Sequence, residues 1–118
     1  MNMDICFEGI GQTAATFRAE GEVQPGMAVT LTGNGTVGKG ADGKLPCGVV
    51  LGGVRGGAAA VQIGGTAKVS YSGTTAPAAG WQSLALDGAG GVKTVTTGGL
   101  NCLVLAVDKD EKSAVVKL

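Results

Sequence analysis

The chain has 118 residues, enough for one domain with a modest core, and 44% of them are hydrophobic, too apolar a composition for disorder. Nine cationic side chains balance nine anionic ones with no block of either sign, which leaves no electrostatic reason to expect nucleic acid or an anionic membrane as partner. Histidine is absent, removing the commonest general base and metal ligand, and the four rings (Phe7, Phe17, Tyr71, Trp81) leave Val, Leu, Ile and Ala to build the interior.

In chain order, MNMDICFEGIGQ (1–12) has no basic leader and carries Asp4 and Glu8 within its apolar stretch, so it reads as an N-terminal arm rather than a signal peptide. VTLTGNGTV (29–37) alternates around Asn34-Gly35, a favoured hairpin dipeptide because both positions accept positive φ. Asp42-Gly43 marks a turn, followed by CGVVL (47–51), a Gly-rich turn at 52–57 and AAAVQI (58–63). TAKVSYS (66–72) puts Ala67, Val69 and Tyr71 on one face, with Lys68 and Ser70 on the other. LALDGAGGVKTV (84–95), LNCLVLAV (100–107), the polar turn DKDEK (108–112) and SAVVKL (113–118) complete the series. No window shows a helical period, and no apolar run approaches the roughly 20 residues of a membrane span. The chain is therefore expected to be all-β, with nine or ten strands in a small barrel or sandwich.

The series is written twice. Displaced by 55, residues 37–63 lie on 92–118 without a gap: Val37 meets Val92, Gly43 meets Gly98, Cys47 meets Cys102, Val49 meets Val104, Ala59 meets Ala114 and Val61 meets Val116. Upstream the displacement reads as 54, with Phe17 on Tyr71, Gly26 on Gly80 and Met27 on Trp81, the extra residue falling in the GAGG turn (88–91). A single β-domain, 13–118, with half-repeats 13–63 and 67–118 around a shared core, is the expected organisation.

Each candidate site has a plainer structural reading. GNGTVG (33–38) spells GxGxxG, but KGADGKLP follows it and cannot be the helix that a dinucleotide pyrophosphate needs, so it reads as a hairpin. Cys6, Cys47 and Cys102 form no CxxC pair, which argues against a disulfide framework or zinc and suits a reducing cytosol. Cys47 and Cys102 have no histidine to activate them, recur at matched positions, and read as packing residues. Lys109, in VDKDEK, sits where duplicated lipoyl and biotinyl carrier domains present their modified lysine; the flanking charges read as a solvated turn. Asp108, Asp110 and Glu111, interrupted by lysines, make a poor calcium cage. Trp81 and the arm residues Ile5, Phe7 and Ile10 are candidate partner contacts, with completion of the core as the alternative. No catalytic, cofactor or metal residue is expected.

PGMAVTLTGNGTV (25–37), CGVVLGGVRGGAAAVQIGGTAKV (47–69), AAGWQSLALDGAGGVKT (78–94) and NCLVLAVDKDEKSAVVKL (101–118) together resemble the small capsid decoration, or cement, proteins of tailed bacteriophages and prophages. The resemblance covers 13–118 and rests on Gly-Val-Val-Leu, a Gly-rich turn, an Ala/Val strand and Gly-x-Ala-x-Val; the arm departs from it. It implies a non-enzymatic, β-tulip-like protein that binds the major capsid protein on the outside of an expanded head and stabilises the shell. It further implies a homotrimer on the virion surface, synthesised in the host bacterial cytoplasm, with no cofactor or small-molecule substrate. A carrier domain using Lys109 and another virion or tail-associated β-module are the alternative classes.

Overall fold

A computed structural model describes residues 13–52, 54–73 and 76–118. They contain ten strands and no helix, which meets the all-β expectation. The arm, with Cys6, Ile5, Phe7 and Ile10, lies outside the described residues.

The first five strands close a barrel: β1 (Thr13–Glu20), β2 (Ala28–Gly33), β3 (Thr36–Gly38), β4 (Gly48–Val50) and β5 (Ala58–Gly64), in the order β1-β3-β2-β4-β5. Antiparallel pairing of β1 with β5 and parallel pairing of β1 with β3 complete the circle. Five strands enclose little space, and small branched side chains fill it. Val23, Val29, Val37, Val50, Ala59 and Val61 are buried there, with Phe17, Ala19, Met27 and Cys47 partly buried against them. The scarcity of rings is thus a geometric match to a narrow lumen. Gly48 follows from the same tightness: a Cβ on it would run into the Gln62 carbonyl oxygen and come within 2.7 Å of Val61 Cγ1.

The remaining strands, β6 (Thr66–Ser70), β7 (Gly80–Leu86), β8 (Val92–Thr94), β9 (Leu100–Asp108) and β10 (Ser113–Lys117), form a sheet in the order β6-β10-β9-β7-β8. Strand for strand this repeats the first set: β6 pairs antiparallel with β10, β10 with β9, β9 with β7, and β7 with β8. A parallel bridge between Tyr71 and Val92, with Ser72 N–H donating to Val92 O at 2.9 Å, stands where the β1–β3 ladder closes the barrel. Ala67, Val69, Tyr71, Leu84, Leu86, Val92, Cys102, Val104, Ala114 and Val116 form the second core, which Ala28 and Val49 of the first sheet also enter.

Register shows a displacement different from the one read upstream. Ala59 pairs with Phe17, whereas Ala114, 55 residues later, pairs with Val69, only 52 residues beyond Phe17. Ala19–Val37 likewise corresponds to Tyr71–Val92. Tyr71 therefore occupies the place of Ala19 rather than Phe17. The aromatic match was chemical similarity two residues out of register, which keeps the facing but moves the ring along its strand.

Backbone hydrogen bonds tie the halves together. The loop after β3 pairs with the end of β7, Gly43 N–H donating to Leu86 O and Leu86 N–H to Lys44 O, both at 2.8 Å; Ala28 N–H donates to Gly90 O at 2.9 Å. An ion pair joins Lys93 to Asp42 beside them.

The Asp87 carboxylate organises the β7–β8 turn. One oxygen accepts from Ala89 N–H at 2.7 Å and Gly91 N–H at 3.0 Å, and the other from the Ser72 hydroxyl. Partial burial alone would raise its pKa, but the Ser72 hydroxyl and the two amides outweigh that and hold it below its ordinary 3.8. A carboxyl depressed in the folded state stabilises the fold above its unfolded pKa, and that contribution is lost as pH falls through the folded value. Asp87→Asn is therefore expected to lower the melting temperature at neutral pH, with the gap to wild type closing as the pH drops below about 4. Melting curves over that range, at fixed ionic strength, check this; a gap constant with pH would rule it out.

Candidate partner-binding face

The scarcity of rings makes their placement informative. Tyr71 is buried in the second core, at 5% exposure, and Phe17 packs partly into the first. Trp81 joins neither: at 69% it is the most exposed of the large hydrophobic side chains among the described residues. On β7, Leu84 and Leu86 point into the core, so odd-numbered Trp81 and Ser83 alternate to the opposite face. Trp81 is opposite Leu103 of β9, which is opposite Lys117 of β10. Lys117, half-buried Leu103 and Trp81 therefore form a row across the outer surface of the second sheet.

Gly80, with φ of 112°, begins β7 in a backbone region closed to most side chains, and so fixes where the Trp81 strand enters the sheet. An indole on a flat sheet face, carried by paired strands, is a rigid anchor of the kind that dominates protein interfaces.

Other exposed apolar residues went unnoticed in the sequence. Leu31 is 56% exposed, and Leu45, Ile63, Leu51 and Val54 also reach solvent from the first half. Leu31 is opposite Val37 and two residues from Val29, both fully buried, so it lies on their face, and it is exposed toward the end of β2, just before the register shift between Leu31 and Gly33. Leu45 follows the loop that crosses to Leu86 and has no periodic signal.

The remaining candidates fall where the fold needs them. Gly33 and Gly38 of GNGTVG lie in β2 and β3, with Asn34-Gly35 between them as the turn. Gly35 takes a positive φ of 57° and Asn34 does not, so the turn is not the doubly left-handed type that the dipeptide suggests. Cys102 is buried in the second core, and Cys47 is half-buried against the first; matched in sequence, they differ in depth. Burial pushes both thiols up, at Cys47 against a smaller opposing backbone hydrogen bond, so both remain protonated at neutral pH. Reaction of the folded protein with a disulfide reagent at pH 7 should accordingly leave Cys102 unmodified until the chain unfolds, with Cys47 slower than a free thiol. Peptide mapping after timed quenching reads this, and rapid labelling of Cys102 would contradict it.

Lys109 is exposed in the turn between β9 and β10 and, with Tyr71, Gly73, Ala76 and Lys112, lines a cleft of about 460 Å³. Its two ammonium groups share the turn with Asp108, Asp110 and Glu111, so no net positive field gathers there. Asp108 is buried, its carboxylate accepting from Asp110 N–H at 3.0 Å and Glu111 N–H at 3.2 Å; it caps the turn that a calcium reading would have opened.

A scan against protein-family models finds no match, and neither does a search of curated proteins.

Proposed function

We propose that this chain is a non-enzymatic capsid decoration protein of a tailed bacteriophage or prophage. It binds the outer surface of the expanded head through the major capsid protein, acts as a homotrimer, and stabilises the shell on the virion. The observation that carries the reading is Trp81, 69% exposed on a paired-strand face beside Leu103. The sequence resemblance supplies the partner. Ile5, Phe7 and Ile10 join Trp81 in the proposal as partner contacts from the arm. Nucleic acid, membrane and small-molecule substrates have no part in it. Three copies engaging one capsid local axis would turn modest single contacts into tight attachment.

Purified protein mixed with expanded and unexpanded empty heads of its own phage, then sedimented, tests this. Binding to expanded heads is expected, and absence from both pellets would sink the proposal. Exposure of Lys109 on a β-hairpin turn favours a second reading, a lipoyl- or biotinyl-type carrier. Intact-mass measurement of the protein from its native host decides it: an unmodified mass removes the carrier, and an added acyl mass replaces the decoration reading.

A further inference from the structure

Three dipeptides of the described residues join an amide or carboxylate side chain to a following glycine: Asn34-Gly35, Asp42-Gly43 and Asp87-Gly88. With no Cβ on the second residue, its backbone nitrogen can approach the side-chain carbonyl carbon of the first. The fold treats the three differently. Gly43 N–H is occupied, donating to Leu86 O at 2.8 Å, and the Asp42 carboxylate is paired with Lys93. Asp87 is held by the Ala89 and Gly91 amides and the Ser72 hydroxyl, which keep it ionised, and a carboxylate repels an incoming electron pair. Asn34-Gly35 stands open. Both residues are exposed in the turn between β2 and β3, and nothing lies within 4 Å of where a Gly35 Cβ would be. Among the described residues no backbone carbonyl accepts from Gly35 N–H.

Thr36 adds a push in the same direction. Its hydroxyl donates to Asn34 O at 2.9 Å. That oxygen belongs to the peptide group whose nitrogen is Gly35 N. A hydrogen bond to it draws electron density toward the oxygen and makes the Gly35 N–H more acidic. The attacking form of the nitrogen, which has lost its proton, is thereby favoured. Asn101, inside β9, has none of this: the next residue is Cys102, which carries a side chain and is buried.

We propose that Asn34 is a self-modification site, converted in the folded protein to aspartate and isoaspartate with the Thr36 hydroxyl assisting. Gly35 N bonds to Asn34 Cγ, the Cγ–Nδ2 bond breaks, and Nδ2 leaves as ammonia with the proton from Gly35 N. Water then opens the cyclic imide. Attack at Cγ gives aspartate; attack at the backbone carbonyl carbon gives isoaspartate, whose main chain is one methylene longer. The added atom falls in a two-residue turn beside a seam. Gly35 O accepts from Arg18 N–H at 2.8 Å, at the start of the β1–β3 ladder that closes the barrel through Arg18–Thr36, Ala19–Val37 and Glu20–Gly38. Isoaspartate displaces that oxygen and loosens the closure, so the barrel ages from this turn. The modification belongs to the free chain and does not depend on the capsid reading.

Timed incubation of the folded full chain at mildly alkaline pH tests it, read by peptide mapping and isoaspartyl methyltransferase labelling. Conversion should appear at residue 34 while Asp42, Asp87 and Asn101 persist. Thr36→Val should slow it roughly fivefold, the weight of one hydrogen bond in a rate, and Thr36→Ser, which keeps the hydroxyl, should retain the wild-type rate. Should Thr36→Val fail to fold, Thr36→Ala takes the same reading. An unconverted Asn34 would overturn the proposal, as would conversion confined to urea-unfolded chains or equal rates with and without the hydroxyl. The isoaspartyl form, separated by chromatography, should melt below Asn34→Asp, which carries the same charge on an ordinary backbone; equal melting of the two would overturn the loosening of the seam.

Discussion

Gly48→Ala should lose about 3 kcal/mol or more of stability, or fail to fold, while Gly52→Ala, four residues later, should cost nothing measurable. The two glycines stand in the same GVVLG stretch and differ only in surroundings. Gly48 is paired with Val29 in β4, and an added Cβ would overlap the backbone oxygen of Gln62, an atom the β4–β5 ladder holds in place. Nothing flexible can yield there, because Val61 Cγ1, at 2.7 Å from the same point, belongs to a fully buried side chain of the barrel lumen. Relief requires β4 to move away from β5, which opens the closed barrel between two of its shortest ladders. Gly52 has nothing within 4 Å of its would-be Cβ and no positive φ, so alanine fits and restricts only the unfolded chain. Urea unfolding of both variants reads the contrast. Equal, small losses would show that β4 and β5 do not approach as closely as described.

That pair of glycines also shows how far the sequence could be read. Turns and strands were legible because they depend on local chemistry: Gly and Asp-Gly at reversals, and alternation in TAKVSYS, whose Ala67, Val69 and Tyr71 all enter the core. The 55-residue displacement was legible across β3, β4 and β5, where small apolar residues recur in the same order. It failed at β1, because two rings invited a match that the ladders place two residues apart. Leu31 carried no signal of its exposure: alternation with Val29 and pairing with Val37, both fully buried, put it on their face, and it is exposed toward the end of β2. Trp81 could be singled out by rarity but not oriented. Its direction depends on the register of β7 against β9, a long-range property, and only the pairing with Leu103 turns the ring outward.

Trp81→Ala is the complementary case, expected to leave the fold intact and abolish attachment to the head. The indole is 69% exposed and belongs to neither core, so its removal makes no cavity, and the melting temperature should stay within the change of an ordinary surface substitution, about 0.5 kcal/mol. At an interface the same ring would be the anchor. Truncating such a residue typically costs about 2 kcal/mol or more per contact, and the proposed trimer would lose that at every site. Leu103→Ala, beside the indole but half-buried, should weaken attachment less and destabilise the sheet more, since part of its area is already used in packing. Sedimentation of expanded heads over a series of protein concentrations measures both variants against wild type. Unaltered binding of Trp81→Ala, with wild type bound, would move the contact off this face. Loss of binding with an unchanged melting curve would locate it on the row from Trp81 through Leu103 to Lys117.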